Sequence, residues 1–491
     1  MIMSQERSLL KGQEQFEQIA AFVRQASCEG RPIDEVERGL WKGLLKMGHA
    51  LLEGFVQGQG TGDLGPDFEQ EGRVLRRLEE THDRRYVSIF GELTISRHVY
   101  GTRETQKHEV APLDARLGLP EGEFSYVLQD WNQHLCVKGP YAEARETVRE
   151  ILGLGQSVRS LEAMNLAMAE PVGSFRQSQP APPAGEEGSI LVLTSDGKGV
   201  PMRKQEMARS GRRKKGEKAN KKRMACVGSV YTIEPFIRTA EDIVDEVMRE
   251  ESQKNRPVPR HKQVRAELTR PIDGVESNGK DRIFAWFQQQ VKARSPDREK
   301  PVVCVMDGER ALWKKLTTCL TGIVCILDIF HVLERLWQAA HCFCPEGSHE
   351  AREFVARRLQ KLLEGKAGYV IGGLKQMASK QQLKGAKLKQ LQSAIGYLHN
   401  NRRFLHYDQY LAAGYPIGSG VAEGACRHLV KDRMERTGMR WQVPTAQAML
   451  DLRAIHVSGQ WEQYQRYRID VQTRTLYPYQ DQVASHWRVA A

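Results

Sequence analysis

The chain has 491 residues, with 73 Lys and Arg against 61 Asp and Glu, so it carries a net charge of +12 and a pI near 9.2. That length exceeds one ordinary domain and provides for roughly two to four structural units, and the charge favours a polyanionic partner such as nucleic acid. No apolar run approaches the roughly 20 residues of a membrane-spanning helix, and the start "MIMSQERSLLKGQEQFEQ" is too polar for a secretory leader, so a cytoplasmic protein with no membrane partner is expected.

From about residue 6 to 80, apolar residues recur three and four apart in "FEQIAAFVRQA" and "VERGLWKGLLKMGHALLEGFV", which predicts helices separated by the turn "EGRPID". The alternating "RRYVSIFGELTISRHVYG" predicts a two-stranded hairpin turning near Gly91. Two short amphipathic segments joined by "GLGQS" follow in 141–168, with Ser157 capping the second and Arg159 near its exposed start. They read either as a DNA-reading helix-turn-helix or as an ordinary helical hairpin. Residues 171–188, "PVGSFRQSQPAPPAGEEG", are rich in Pro, Ser and Gly and predict a linker.

Beyond it, strands and helices alternate. "SILVLTSDGKGVPM", "RMACVGSVYTI", "PVVCVMDG" and "GIVCILDIF" read as strands, and "DRIFAWFQQQVKA" and "ERALWKKLTTCL" as helices, which makes a mixed α/β domain. From about 330 to 412 the pattern is wholly helical, an insertion ahead of the turn "GYPIGSG". The run "RSGRRKKGEKANKKR" (209–223) holds nine basic residues and one acid. It is either a solvated loop or, through Arg212, Arg213, Lys214, Lys215, Lys221, Lys222 and Arg223, a source of phosphate contacts; the DNA-contacting version is favoured by the basic chain.

Nine cysteines with no C-x-x-C pair read as reduced thiols, several of them inside apolar strands. The cluster His341, Cys342, Cys344 and His349 has ligand types that suit zinc, but its spacing matches no standard zinc module, so zinc is not expected. Asp196 and Asp307 each end an apolar strand, at the edge of an α/β sheet where sites form, although Asp-Gly after a strand is also a turn signal. Two-metal chemistry on phosphodiesters needs clustered carboxylates, and Glu423, inside the helix after "YPIGSG", offers a third; the alternative is a charge facing that helix's dipole.

The strings "TSDGKGVPM", "VMDGERALW", "LDIFHVLERLWQAAHCF" and "YPIGSGVAEGACRHLVKDRMERTGMRW" together resemble the DDE transposases of bacterial insertion sequences, most closely the ISKra family, related to Mutator-like elements, over about 86–455. The resemblance implies a ribonuclease H-like catalytic domain with a mixed five-stranded sheet, an all-α insertion between the fifth strand and the Glu-bearing helix, and a mainly helical DNA-binding region ahead of it. It implies Asp196, Asp307 and Glu423 as catalytic Mg²⁺ ligands, Mn²⁺ able to substitute, with Asp196 shared by both ions. It also matches Asp328 and His331 to an accessory motif near the site; the bland reading of that pair is a helix N-cap. In "GMRW", Arg440 would hold a phosphate and Trp441 would either stack on a base or pack in the core.

Relatives commonly carry a cysteine zinc ribbon after the hairpin; "GTRETQKHEVAPLDARLGLP" has no cysteine, so that site is not carried over. The implied organisation is a helical region (1–85), a hairpin plus helix-turn-helix-like region (86–170), a linker (171–188), a catalytic core in two parts (189–335 and 413–460) around the insertion (336–412), and a tail (461–491). The implied activity is cleavage at element ends and joining of 3′-OH ends to target DNA, with double-stranded DNA (terminal inverted repeats and target) and further copies of the chain, as a homo-oligomer, for partners.

Overall fold

A computed structural model describes residues 2–70, 72–102, 109–206, 222–249, 256–297, 299–436 and 438–487. The chain divides into two compact units, one of Met1–Phe175 with Trp461–Ala491 and one of Arg176–Gln460. None of the helices among the described residues is long and apolar enough to cross a membrane.

In the first unit, helices Ile2–Glu29 and Ile33–Gly58 pair as an antiparallel hairpin. The expected helical pattern stops there: Asp67–Gln70 and Arg73–Arg77 pair as antiparallel strands, and Tyr100–Gly101 extends the sheet. Phe68, Leu75 and Tyr100 turn inward from these strands, too few apolar residues to mark a strand in a charged stretch that otherwise passes for helix. The hairpin His82–Ser88 with Gly91–Arg97 forms where the alternation places it. Helices Tyr141–Leu152 and Val158–Ala169 flank the "GLGQS" turn. Gly153 closes the first in the left-handed region at φ 72°, and the Ser157 hydroxyl accepts the Ser160 amide at 3.0 Å to cap the second.

Two segments differ from expectation. Val172–Ser178, inside the expected linker, is helical because Val172 and Phe175 are buried. The tail is two helices, Trp461–Leu476 and Gln480–His486, that belong to this first unit. Tyr464 and Tyr477 are buried there and donate to the carbonyls of Met168 and Leu119, and the Trp461 indole donates to Asp130.

Labels from here on number elements of the second unit. The strands of its main sheet are β1 (Ile190–Pro201), β2 (Lys222–Ile233), β3 (Arg260–Leu268), β4 (Val302–Met306) and β5 (Val324–Leu327), ordered β3-β2-β1-β4-β5. The first three are antiparallel, and β4 and β5 run parallel to β1. This mixed five-stranded sheet is consistent with the ribonuclease H-like expectation. β4 is buried along its whole length, as a central strand covered on both faces must be. β3, "RHKQVRAEL", escapes sequence reading because its first half is polar and exposed, the usual composition of an edge strand.

Helix α1 (Gly279–Arg294) packs Ile283 and Phe287 against β2, where Gly228 leaves room: a Cβ there would meet Ile283 at 2.8 Å. Then come α2 (Arg310–Cys319), α3 (Ile329–Ala340) and the insertion helices α4 (His349–Leu363), α5 (Ala367–Lys380), α6 (Gly385–Asn400) and α7 (Tyr407–Ala412). Helices α8 (Gly420–Ala425) and α9 (Val443–Val457) return to the sheet.

Both sheet edges are sealed by side chains. On β3, Gln447 of α9 donates to the Ala266 carbonyl and accepts the Leu268 amide, each at 2.9 Å. On β5, the phenols of Tyr407 and Tyr410 donate to the carbonyls of Leu327 at 2.7 Å and Cys325 at 3.0 Å. The insertion therefore fixes the edge strand. Replacing Tyr407 by Phe strips a buried carbonyl of its donor and is expected to cost about 1–3 kcal/mol in urea unfolding of the full chain.

Candidate active site

The site starts from strand register. Met306 of β4 pairs with Ser195 of β1 on one side and with Leu327 of β5 on the other. The next residue on each strand is an aspartate, so Asp196, Asp307 and Asp328 stand at one level, just past the last parallel pair. Adjacent strands lie about 4.8 Å apart, which makes the three carboxyl-bearing residues neighbours.

Asp196 is not at a strand end, as expected, but in the middle of a 12-residue strand. β1 continues because β2 pairs with it out to Pro201, whereas β4 stops at Met306. The edge that holds the site is therefore the end of β4 and β5, not of β1.

The carboxyls differ in environment. Burial, with a smaller contribution from the Asp196 charge, pushes the Asp307 carboxyl above the usual carboxylate range, while the Glu309 amide and His331 pull it down. That Glu309 amide donates to Asp307 Oδ1 at 2.9 Å. Asp328 is fully buried and raised by that burial; it caps α3 by accepting the Phe330 amide at 2.9 Å and also accepts the Ser419 hydroxyl. The helix-cap reading of Asp328 thus describes its bonds. Burial disfavours the charged form of His331, but Asp328, Glu334 and Asp307 outweigh it and hold its pKa above the ordinary value.

The turn that carries Asp307 is gripped from the insertion. The Gly308 amide donates to the Tyr397 hydroxyl of α6 at 3.1 Å, and the Trp313 indole donates to the Asp307 carbonyl at 2.7 Å. Trp313 in turn stacks on Phe404, ring centroids 4.1 Å apart. None of these partners carries a sequence signal, since each meets the turn only through the fold.

Glu423 lies on α8, which packs over β1 and β2. Its side chain is outside the described residues. One turn further on, at the start of a π-helical stretch, the Cys426 thiol donates to Asp196 Oδ2 at 3.3 Å. π-helical turns recur at functional sites. Burial, and then the Asp196 charge, raise the Cys426 thiol well above its ordinary range, so it stays neutral beside the carboxylate. Ahead of α8, the Ile417 carbonyl accepts the Ile329 amide at 3.0 Å, and Gly418 passes so close to Phe330 that a Cβ would meet the ring at 2.8 Å.

The remaining candidates scatter. Arg440 is exposed and bonds the Met439 carbonyl. Trp441 is packed inside the fold: its indole donates to the Met434 carbonyl at 3.1 Å and the Arg433 guanidinium lies 5.0 Å from its ring centroid. Lys222 pairs with Glu435 at 3.0 Å, and Arg223 lies 3.9 Å from Glu276. Arg212, Arg213, Lys214, Lys215 and Lys221 lie outside the described residues. Cys342 is buried, donating to the carbonyls of Gln338 and Lys387, whereas His349 is 82% exposed, so those zinc-type residues do not converge.

Among the described residues no group of three or more His, Cys, Asp or Glu side chains is set to hold a metal ion. Asp196 and Asp307 nonetheless suit an oxygen-seeking divalent cation: two neighbouring carboxylates, one half-buried and destabilised by the other's charge, gain from a shared positive ion. Gly308→Ala tests the grip on this turn, since its Cβ would meet Tyr397 at 2.4 Å and Asn401 at 2.7 Å. It is expected to cost about 1–3 kcal/mol in thermal unfolding through overpacking.

No family model matches the chain, and no curated protein matches it. Among solved structures the chain is similar to the Drosophila P element transposase strand transfer complex, at 11% identity and a TM-score of 0.23, over 70% of this chain and 81% of that one. A likeness of that extent assigns no role to any residue here.

Proposed function

We propose that the chain is a DDE-type DNA transposase that cleaves phosphodiesters at the ends of its element and joins the 3′-OH ends to target DNA. The observation that carries this reading is the in-register row of acids at the end of β4 and β5, with the Glu423 helix tied to Asp196 through Cys426. Asp196, Asp307 and Glu423 would hold Mg²⁺, or Mn²⁺ in its place. When bound, such ions polarise a phosphodiester and lower the pKa of an attacking water.

The chain's own residues do the positioning. The Glu309 amide and the Gly308–Tyr397 bond fix the Asp307 carboxyl, and the Ser419–Asp328 bond locks the turn before α8 to the start of α3. The neutral Cys426 thiol orients Asp196 without competing with it for charge. His331, held toward its cationic form, faces the acid row from α3 and opposes its negative charge as a phosphate approaches.

The net charge of +12 supports DNA as the polyanion. Pairing of two element ends calls for more than one copy of the chain. The N-terminal helical hairpin, with Leu10, Phe16, Ile33 and Phe55 exposed, supports such self-association.

The test uses a supercoiled plasmid that carries the DNA flanking the reading frame. Asp196→Ala, Asp307→Ala and Glu423→Ala are each expected to lower Mg²⁺-dependent cleavage at least about 100-fold, several kcal/mol of lost charge stabilisation. Cleavage that persists in all three variants rejects the reading. Cleavage without joining of pre-nicked ends reduces it to a ribonuclease H-like nuclease.

A further inference from the structure

We propose that Arg335 and Tyr397, together with His331, form a phosphate-binding subsite beside Asp307, on the side of the helical insertion, that takes the DNA backbone next to the scissile bond. This rests on the reading of the acid row as a phosphodiester site. His331 and Arg335 are four residues apart on α3, one above the other on the same helix face. The Arg335 guanidinium lies over the Tyr397 ring, its central carbon 4.8 Å from the centroid. The Tyr397 hydroxyl in turn accepts the Gly308 amide, one residue from Asp307. Three side chains from two elements thus converge on one flank of the site.

Arg335 is incompletely satisfied. One terminal nitrogen donates to Gln338 at 2.9 Å, its Nε is buried without a partner, and no carboxylate among the described residues pairs with it. A half-buried guanidinium in that condition is unfavourable alone and is stabilised by an oxyanion beside it. Tyr397 adds a donor. Burial, and then the nearby Asp307 charge, hold its phenol in the protonated form, so its O–H remains available after the oxygen has accepted the Gly308 amide.

Charge gives the direction. The acid row repels a phosphodiester; His331 is paired with Glu334 at 3.4 Å, so Arg335, without a carboxylate partner among the described residues, is the charge on this flank that attracts one and draws the strand across α3 toward the insertion. The insertion is then part of the DNA path.

The experiment measures binding of the full chain to a mixed-sequence 30-bp duplex, probed by fluorescence anisotropy across a KCl series without Mg²⁺. Arg335→Gln is expected to weaken binding and to flatten the slope of log affinity against log salt by about 0.9, the signature of one lost phosphate contact. Arg335→Lys is expected to restore the slope. Tyr397→Phe, the second variant, removes a neutral donor and is expected to weaken binding roughly five-fold with the slope unchanged. Wild-type affinity and slope in both Arg335→Gln and Tyr397→Phe overturn the subsite. Asp307→Ala, run alongside for plasmid nicking, judges the catalytic reading separately: undiminished nicking rejects that reading, while the salt slope still decides the subsite.

Discussion

The second unit depends on one constraint, the register in which β1, β4 and β5 run side by side. Because Met306 pairs with Ser195 and with Leu327, the residue that follows each of these is an aspartate at the same level, past the end of β4 and β5 and midway along β1. A shift of one residue in β4 would turn its side chains to the opposite faces and take Asp307 away from Asp196.

The register would be of little use if the turns after the strands were loose. The insertion supplies the rigidity: Tyr407 and Tyr410 close the open edge of β5, Tyr397 holds the Gly308 amide, and Phe404 backs Trp313. The run of helices between β5 and α8 therefore acts as a buttress for the acid row. This explains why a glycine follows Asp307, since α6 approaches too closely for a side chain there.

Much of this was legible in the residues and some of it was not. Asp196 and Asp307 stood out because each follows an apolar run, a local signal, and Asp328 through the resemblance, but their adjacency is a matter of pairing between strands far apart in sequence. β3 and the strand pair at 67–77 were hidden because an edge strand or a small outer sheet can be built largely from charged residues, with few positions buried. The C-terminal helices looked like a tail since the residues that bury them, Tyr464 and Tyr477, find their partners some 300 residues earlier. Tyr397 and Arg335 had no motif at all; geometry alone singles them out. Trp441, open between a base-stacking and a packing role in the sequence, is held within the fold by Met434 and Arg433.

The most direct measurement of the central claim is the anomalous scattering of Mn²⁺ in crystals of the full chain. An ion within about 2.5 Å of carboxylate oxygens of both Asp196 and Asp307 is expected, and its loss on replacing both by Asn. No ion at that edge, at Mn²⁺ concentrations that saturate other sites, would contradict a metal-dependent role for the aspartates that the strand register brings together.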